Sequence, residues 1–301
     1  MITLVLLLKA GLGACLFVFI LWCAQSRHPR AAGMMLTFPA LNGIGMLAGD
    51  ASSWRPMVQA MMPMIGINGL LCVGYIVALR RLRCPGKPVD SYRVAMMLMA
   101  LCLFLWFLTA GFVTPHLQVW LTSSRRVVVF IFVYLFCAFS CAVLMWCPAQ
   151  DTAKNKLNLW GVFQAHKERI AILFGLIILV QYLVRIGEPA WAGRLSAFPL
   201  LPCYTLALLY VGETSTTGHA SVLDQLGSTT LMGPAVAMLF VWGYRVYLQS
   251  LLDATENFTY MLGGVFGLLL GWSLCGLLIW SIVYLMAVVE RRRNTSTCSI
   301  C

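Results

Sequence analysis

The chain has 301 residues, 61% of them hydrophobic and 10% charged, with a mean hydropathy of +0.86, whereas a soluble domain is about 45–50% apolar and about 25% charged. A water-soluble globule could not hide that much apolar surface. The net charge of +11 lies in short loops between apolar runs, where Lys and Arg set orientation in a bilayer, so the expected partner is lipid and not nucleic acid.

The apolar runs have the roughly 18–25 residues that a helix needs to cross about 30 Å of hydrocarbon, which predicts an all-α integral membrane protein. Nine spans are expected, at residues 3–24, 31–49, 58–79, 94–114, 127–147, 170–186, 195–212, 230–251 and 261–289. The first, MITLVLLLKAGLGACLFVFILWC, has no basic segment before it and no small-residue cleavage site after it, and reads as a retained helix. Between the fifth and sixth spans, residues 148–169 carry an amphipathic patch at Leu157, Trp160 and Phe163, read as an interfacial helix. The last span is long enough to tilt or to emerge from the bilayer. Three parts result: a four-helix unit over 1–120, a linking transmembrane helix and interfacial segment over 121–169, and a second four-helix unit with a basic tail over 170–301.

Counting cationic residues sets the expected orientation. With the N-terminus outside, the inner loops hold Arg27, Arg30, Arg80, Arg81, Arg83, Lys87, Arg93, Lys154, Lys156, Lys167, Arg169 and Arg291 to Arg293, and the outer loops hold Arg55, Arg125, Arg126, Arg185 and Arg194. The bias places the C-terminus in the cytoplasm, although the loop expected over Glu213–Ser228 has no Lys or Arg.

A weak internal repeat is the most informative pattern. PRAAGMMLTFPALNGIGMLAGD from Pro29 aligns with PAWAGRLSAFPLLPCYTLALLYVGE from Pro189: Pro29 with Pro189, Ala32-Gly33 with Ala192-Gly193, and Phe38-Pro39 with Phe198-Pro199. GYIVAL from Gly74 pairs with GYRVYL from Gly243. Four helices return the chain to its starting side, so the single extra span between the units turns the second one upside down. Inverted repeats with broken helices at their interface are the ground plan of many secondary transporters.

The string AGRLSAFPLLPCYTLALLYVGE, followed by a polar stretch and an apolar helix with Gly-Tyr, resembles the small four-helix GlpM-like bacterial inner-membrane proteins. The resemblance covers about Ala171–Met286 and, more weakly, Lys9–Thr114, which would make this chain a fused, double-length version. It implies a bacterial inner membrane and an association with envelope or exopolysaccharide production; the family carries no defined activity.

Several residues stand out for their chemistry. Pro39 and Pro199 fall mid-span, where proline removes a helix hydrogen bond and frees a carbonyl that lipid cannot satisfy. With Asn42 after the first and Tyr204 after the second, they form the expected substrate site. Asp50 and Glu213 close the kinked spans and suit a proton or cation gate at each mouth, since a partly desolvated carboxylate can load and release a proton. Arg245 in the eighth span could bind an anion, or snorkel; Lys9, Asn68 and Gln181 also fall inside spans. The clusters MMPM (Met61–Met64) and MMLM (Met96–Met99) are soft enough for Cu(I), but no His or Cys completes them. The twelve Cys residues show no zinc or disulfide spacing, and no metal or other cofactor is expected. No HExxH or phosphate-binding loop points to catalysis. The expectation is a secondary transporter or flippase-like carrier of a small organic or lipid-linked anion. The alternatives are a non-catalytic subunit of an envelope or polysaccharide assembly and a membrane-embedded transferase.

Overall fold

A computed structural model describes residues 2–25, 29–36, 54–82, 88–144, 159–186, 188–213, 222–254 and 257–298. Among these residues every element is helical, as the bilayer requires of backbone groups that have no water to bond. In chain order they are α1 (Ile2–Gln25), α2 (Pro29–Met35), α3 (Trp54–Arg81), α4 (Pro88–Leu108), a π-helical turn (Thr109–Val113), α5 (Thr114–Trp120) and α6 (Ser124–Leu144). Then follow α7 (Leu159–Ile186), α8 (Pro189–Ser196), α9 (Leu200–Glu213), α10 (Val222–Thr229), α11 (Met232–Ala254) and α12 (Asn257–Cys298).

Among the described residues, six segments are long and apolar enough to cross a membrane: Pro56–Arg81, Tyr92–Trp120, Arg125–Ala142, Pro189–Tyr210, Gln225–Leu251 and Gly263–Met286. The chain is a membrane-embedded helical protein. Its segments divide into centre and rim: Gln225–Leu251 and Pro189–Tyr210 are 83% and 76% buried, while Tyr92–Trp120 and Gly263–Met286 are each 17% buried. The rim carries the exposed large apolar side chains, among them Phe104, Phe112, Phe136, Phe266 and Trp280.

Helices distant in sequence pair. Helix α1 packs along α7, α3 packs along α11, and the short helices reach across the sequence, α2 onto α10 and α8 onto α3. Neighbours in sequence also pack, α1 on α2, α7 on α8, α3 on α4 and α11 on α12. The apolar core splits into two clusters. One gathers α1, α7, α9 and α10 with the second half of α3; the other gathers α6, α11 and α12 with the first half of α3. Two chain breaks fall where the clusters meet. Ala197 belongs to one and Leu201 to the other, and likewise Leu231 and Leu226.

Two expectations are corrected. The loop expected over Glu213–Ser228 contains α10, whose Leu223, Gln225 and Leu226 are buried; it leads through a turn at Thr230–Leu231 into α11. Of the segment read as an interfacial helix, the described part is the start of α7, with exposed Trp160 stacked on Phe163 at 5.3 Å, and a kink at His166 (φ −121°, ψ 15°) divides it from the apolar remainder. Arg30 and Arg194, both assigned to loops by sequence, lie on α2 and α8, and each is only 7% exposed.

Candidate functional site

The break between α8 and α9 draws polar and aromatic side chains from α3 and α4. Helix α8 ends by tightening, with Ala197 N–H bonding the Arg194 carbonyl and Phe198 N–H bonding that of Leu195, both at 3.0 Å. Pro199 then offers no N–H, and the chain restarts as α9 with Cys203 N–H bonding the Pro199 carbonyl at 3.0 Å. An interrupted helix leaves carbonyls without a partner on their own strand of backbone. Asn68 of α3 meets this need, donating from Nδ2 to the Ala197 carbonyl. The buried Trp106 of α4 seals the other side, its ring edge-on to Phe198 at 4.9 Å. Among the described residues, Asn68 Oδ1 and Trp106 Nε1 have no hydrogen-bond partner. The two side chains at the break thus keep one spare acceptor and one spare donor.

Distortion continues on the facing segment. In the π turn after α4, Thr109 Oγ1 donates to the Leu105 and Trp106 carbonyls at 3.0 and 2.9 Å. Thr114 Oγ1 reaches the Thr109 carbonyl at 3.0 Å and Met64 Sδ at 2.8 Å. The Thr114 hydroxyl thus joins its own backbone N–H on the Thr109 carbonyl, where the turn widens; such π turns are frequent at functional positions. Met64 therefore acts as a buried acceptor within α3, beside Met61 and Met62 in the same core cluster.

One turn before the break lies Arg194. Its Nη2 contacts Gln118 Oε1 of α5 at 3.4 Å, its guanidinium lies 4.9 Å from the Trp191 ring, and its Nε has no partner. Across the molecule, α2 meets α10, where Thr229 Oγ1 donates to the Arg30 carbonyl at 2.8 Å. Gln225, Ser228 and Thr230 are buried at this crossing, and Gln225 Nε2 has no partner.

Both crossings depend on glycine. A Cβ on Gly193 would collide with the Met57 carbonyl, and one on Gly33 with the Leu226 carbonyl and Thr229 Oγ1. Only a residue without a side chain lets the backbones approach so closely.

Of the expected site residues, Pro199 is buried at the break itself. Tyr204 turns to α1 and packs on Phe17 at 5.9 Å. Arg245 is half-buried on α11. Pro39, Asn42 and Asp50 lie outside the described residues, as do the side chains of Lys9, Gln181 and Glu213, the last residue of α9. The structure adds Arg194, Gln118 and Trp106, and gives Asn68 its role. Arg194 had a signal in sequence, since it directly follows the Gly193 of the repeat and stands four residues before Phe198. Gln118 and Trp106 had none, because only the fold brings them to α8.

No family model matches the chain, and neither a curated protein nor a solved structure matches it.

Proposed function

We propose that the chain is a secondary carrier of a small organic or lipid-linked anion, built from two inverted four-helix units joined by α6, with nine crossings in a bacterial inner membrane. The observation that carries this reading is the exchange of short helices between the halves. Helix α8 of the second half seats its Gly193 on Met57 of the first, and α2 of the first seats its Gly33 on Leu226 of the second. Gly33 and Gly193 are equivalent in the repeat, and Met57 and Leu226 stand at the same interval, 169 residues, that separates Gly74 from Gly243. Other contacts follow the same exchange: α1 on α2 answers α7 on α8, α3 on α4 answers α11 on α12, and α1 with α7 and α3 with α11 pair with their own equivalents.

Exchange of this kind suits alternating access. In carriers built from inverted repeats, one half rocks against the other around a site made from broken helices, and here the interrupted α8–α9 pair supplies such a break. Opening at one mouth would use one short-helix crossing, and opening at the other would use its counterpart. Asp50 and Glu213, at the ends of equivalent segments, are the gating carboxylates in this scheme, with Pro39, Asn42, Pro199, Tyr204 and Arg245 as the residues nearest the cargo path.

The test has two parts. Accessible reporters beside Asp50 and Glu213 are expected on opposite sides of the membrane; finding them on one side rules out the inverted arrangement. Reconstituted protein should then exchange labelled succinate or phosphate across vesicles, with Asp50→Asn and Glu213→Gln losing flux at normal expression. Flux of neither probe above empty vesicles counts against this substrate class.

A further inference from the structure

We infer that Arg194 and Gln118 form a binding site for a compact oxyanion, a phosphate or carboxylate group, between α5 and α8. Arg194 is 7% exposed, within the apolar segment Pro189–Tyr210. A guanidinium stays charged in every protein environment, and a charge removed from water needs an opposite charge or several hydrogen bonds to offset its lost hydration. Here the protein supplies little. The polar contact is one neutral carboxamide oxygen at 3.4 Å, near the limit of a hydrogen bond, supplemented by the face of Trp191. Among the described residues, Nε is left without an acceptor.

The missing partner is an oxyanion on chemical grounds. The guanidinium fork presents parallel N–H donors that match the paired oxygens of a carboxylate or phosphate, and such bidentate contacts are the strong ones. Gln118 can turn its NH2 toward the same anion, because its carboxamide offers a donor as well as an acceptor. The neighbouring chain is cationic: α5 leads directly to exposed Arg125 and Arg126, and Arg126 Nη1 lies 3.4 Å from the Trp120 carbonyl, two residues from Gln118. The carboxylate nearest in sequence, Glu188, is exposed before the start of α8 and does not pair with Arg194. Cationic side chains near a buried cation raise the local concentration of anions.

Binding does not require transport; only the site's role as a cargo position rests on the carrier reading. The experiment uses the full chain purified in a neutral detergent, with thermal unfolding followed in inorganic phosphate, in succinate and in phosphatidic acid micelles, at matched ionic strength against chloride. A ligand of the folded state raises the midpoint by mass action. Wild type is expected to be stabilised by at least one probe, with apparent affinity falling about ten- to a hundredfold in Arg194→Gln, the usual cost of losing charge-assisted bonds. Response to a soluble anion assigns a free oxyanion; response to phosphatidic acid alone assigns a lipid headgroup. Gln118→Glu, which builds a carboxylate into the site, is expected to be more stable without any probe and to lose the response. No response from wild type, an equal response from Arg194→Gln, or a Gln118→Glu variant that gains no stability and still responds, overturns the site. Binding without flux leaves the site standing and removes its role as a cargo position; flux without binding overturns the site and leaves the carrier reading standing.

Discussion

Asn68 closes the break between α8 and α9 with a single carboxamide. Its Nδ2 lies on the Ala197 carbonyl across 129 positions of sequence, so the bond ties α3 to the second half of the chain. Replacing it with Ala leaves that carbonyl buried and unsatisfied, which costs about 1–3 kcal/mol. Unfolding of Asn68→Ala in detergent should show that loss, and a variant as stable as wild type would mean that water already serves the carbonyl. His166 offers a second residue-level prediction. At the kink of α7, burial and then the nearby Arg169, with Nη1 3.4 Å from His166 Nδ1, hold its pKa below the ordinary 6.5. The folded protein therefore takes up the proton less readily than the unfolded chain. The stability this confers is complete above about pH 6.5 and is lost as pH falls through the lowered folded value. His166→Gln should lose less stability than wild type between about pH 7.5 and about pH 5.5; parallel losses would show that other groups set the acid response.

Elements in this protein are joined through their backbones. At the crossing of α8 with α3 a new Cβ meets the Met57 main-chain carbonyl, and at the crossing of α2 with α10 it meets the Leu226 carbonyl together with Thr229 Oγ1; a helix backbone cannot swing aside as a side chain can. Gly193→Ala and Gly33→Ala should each lose about 1–3 kcal/mol by overpacking. Gly175, in the middle of α7, has open space around its Cβ position, and Gly175→Ala should gain up to about 1 kcal/mol from helix propensity. Measured together, the three variants separate close approach from propensity: a gain at all three would show that the crossings have slack. The same logic explains why α2 and α8 are short. Each begins with proline, which suits the first helical turn, and each presents its glycine within a turn or two. For α8 the termination is visible: Ala197 and Phe198 bond back only three residues before Pro199 interrupts the ladder.

For the molecule as a whole, the central segments are wrapped by helices that expose aromatic and aliphatic side chains outward. Trp280 on α12 is 64% exposed and Trp106 on α4 is 0% exposed. In vesicles containing brominated lipid, fluorescence from a variant retaining Trp280 as its sole tryptophan should be quenched strongly, and from one retaining Trp106 weakly. Equal quenching would mean that the rim is covered by another protein surface or that the core admits lipid. The 42 residues of α12 exceed the roughly 20 that span the hydrocarbon, so the helix carrying Arg291–Arg293 continues past the apolar segment. The sequence expectation of a long last span that tilts or emerges agrees with this length.

The sequence by itself determined the class. Apolar runs of spanning length, and charges confined between them, are local properties, and they are sufficient because lipid leaves the backbone no alternative to helix. The break at Pro199 was legible too, because a mid-span proline cannot continue the helix ladder, and so was a division before residue 170, where the structure kinks at His166; the helical start at Pro189 was not, since that stretch reads as a loop. The tertiary structure decided what no local pattern contains. Arg194 reads as a loop cation until α3 and α5 close over it, and Glu213–Ser228 reads as a loop until α2 buries Leu226. Asn68 and Trp106 became members of one site because helices distant in sequence cross there, and such crossings are set by which surfaces fit at backbone distance. Hydrophobicity specifies that a segment is buried in the membrane; it does not specify against which neighbour, because lipid and protein are equally apolar and only packing and polar contacts choose between them.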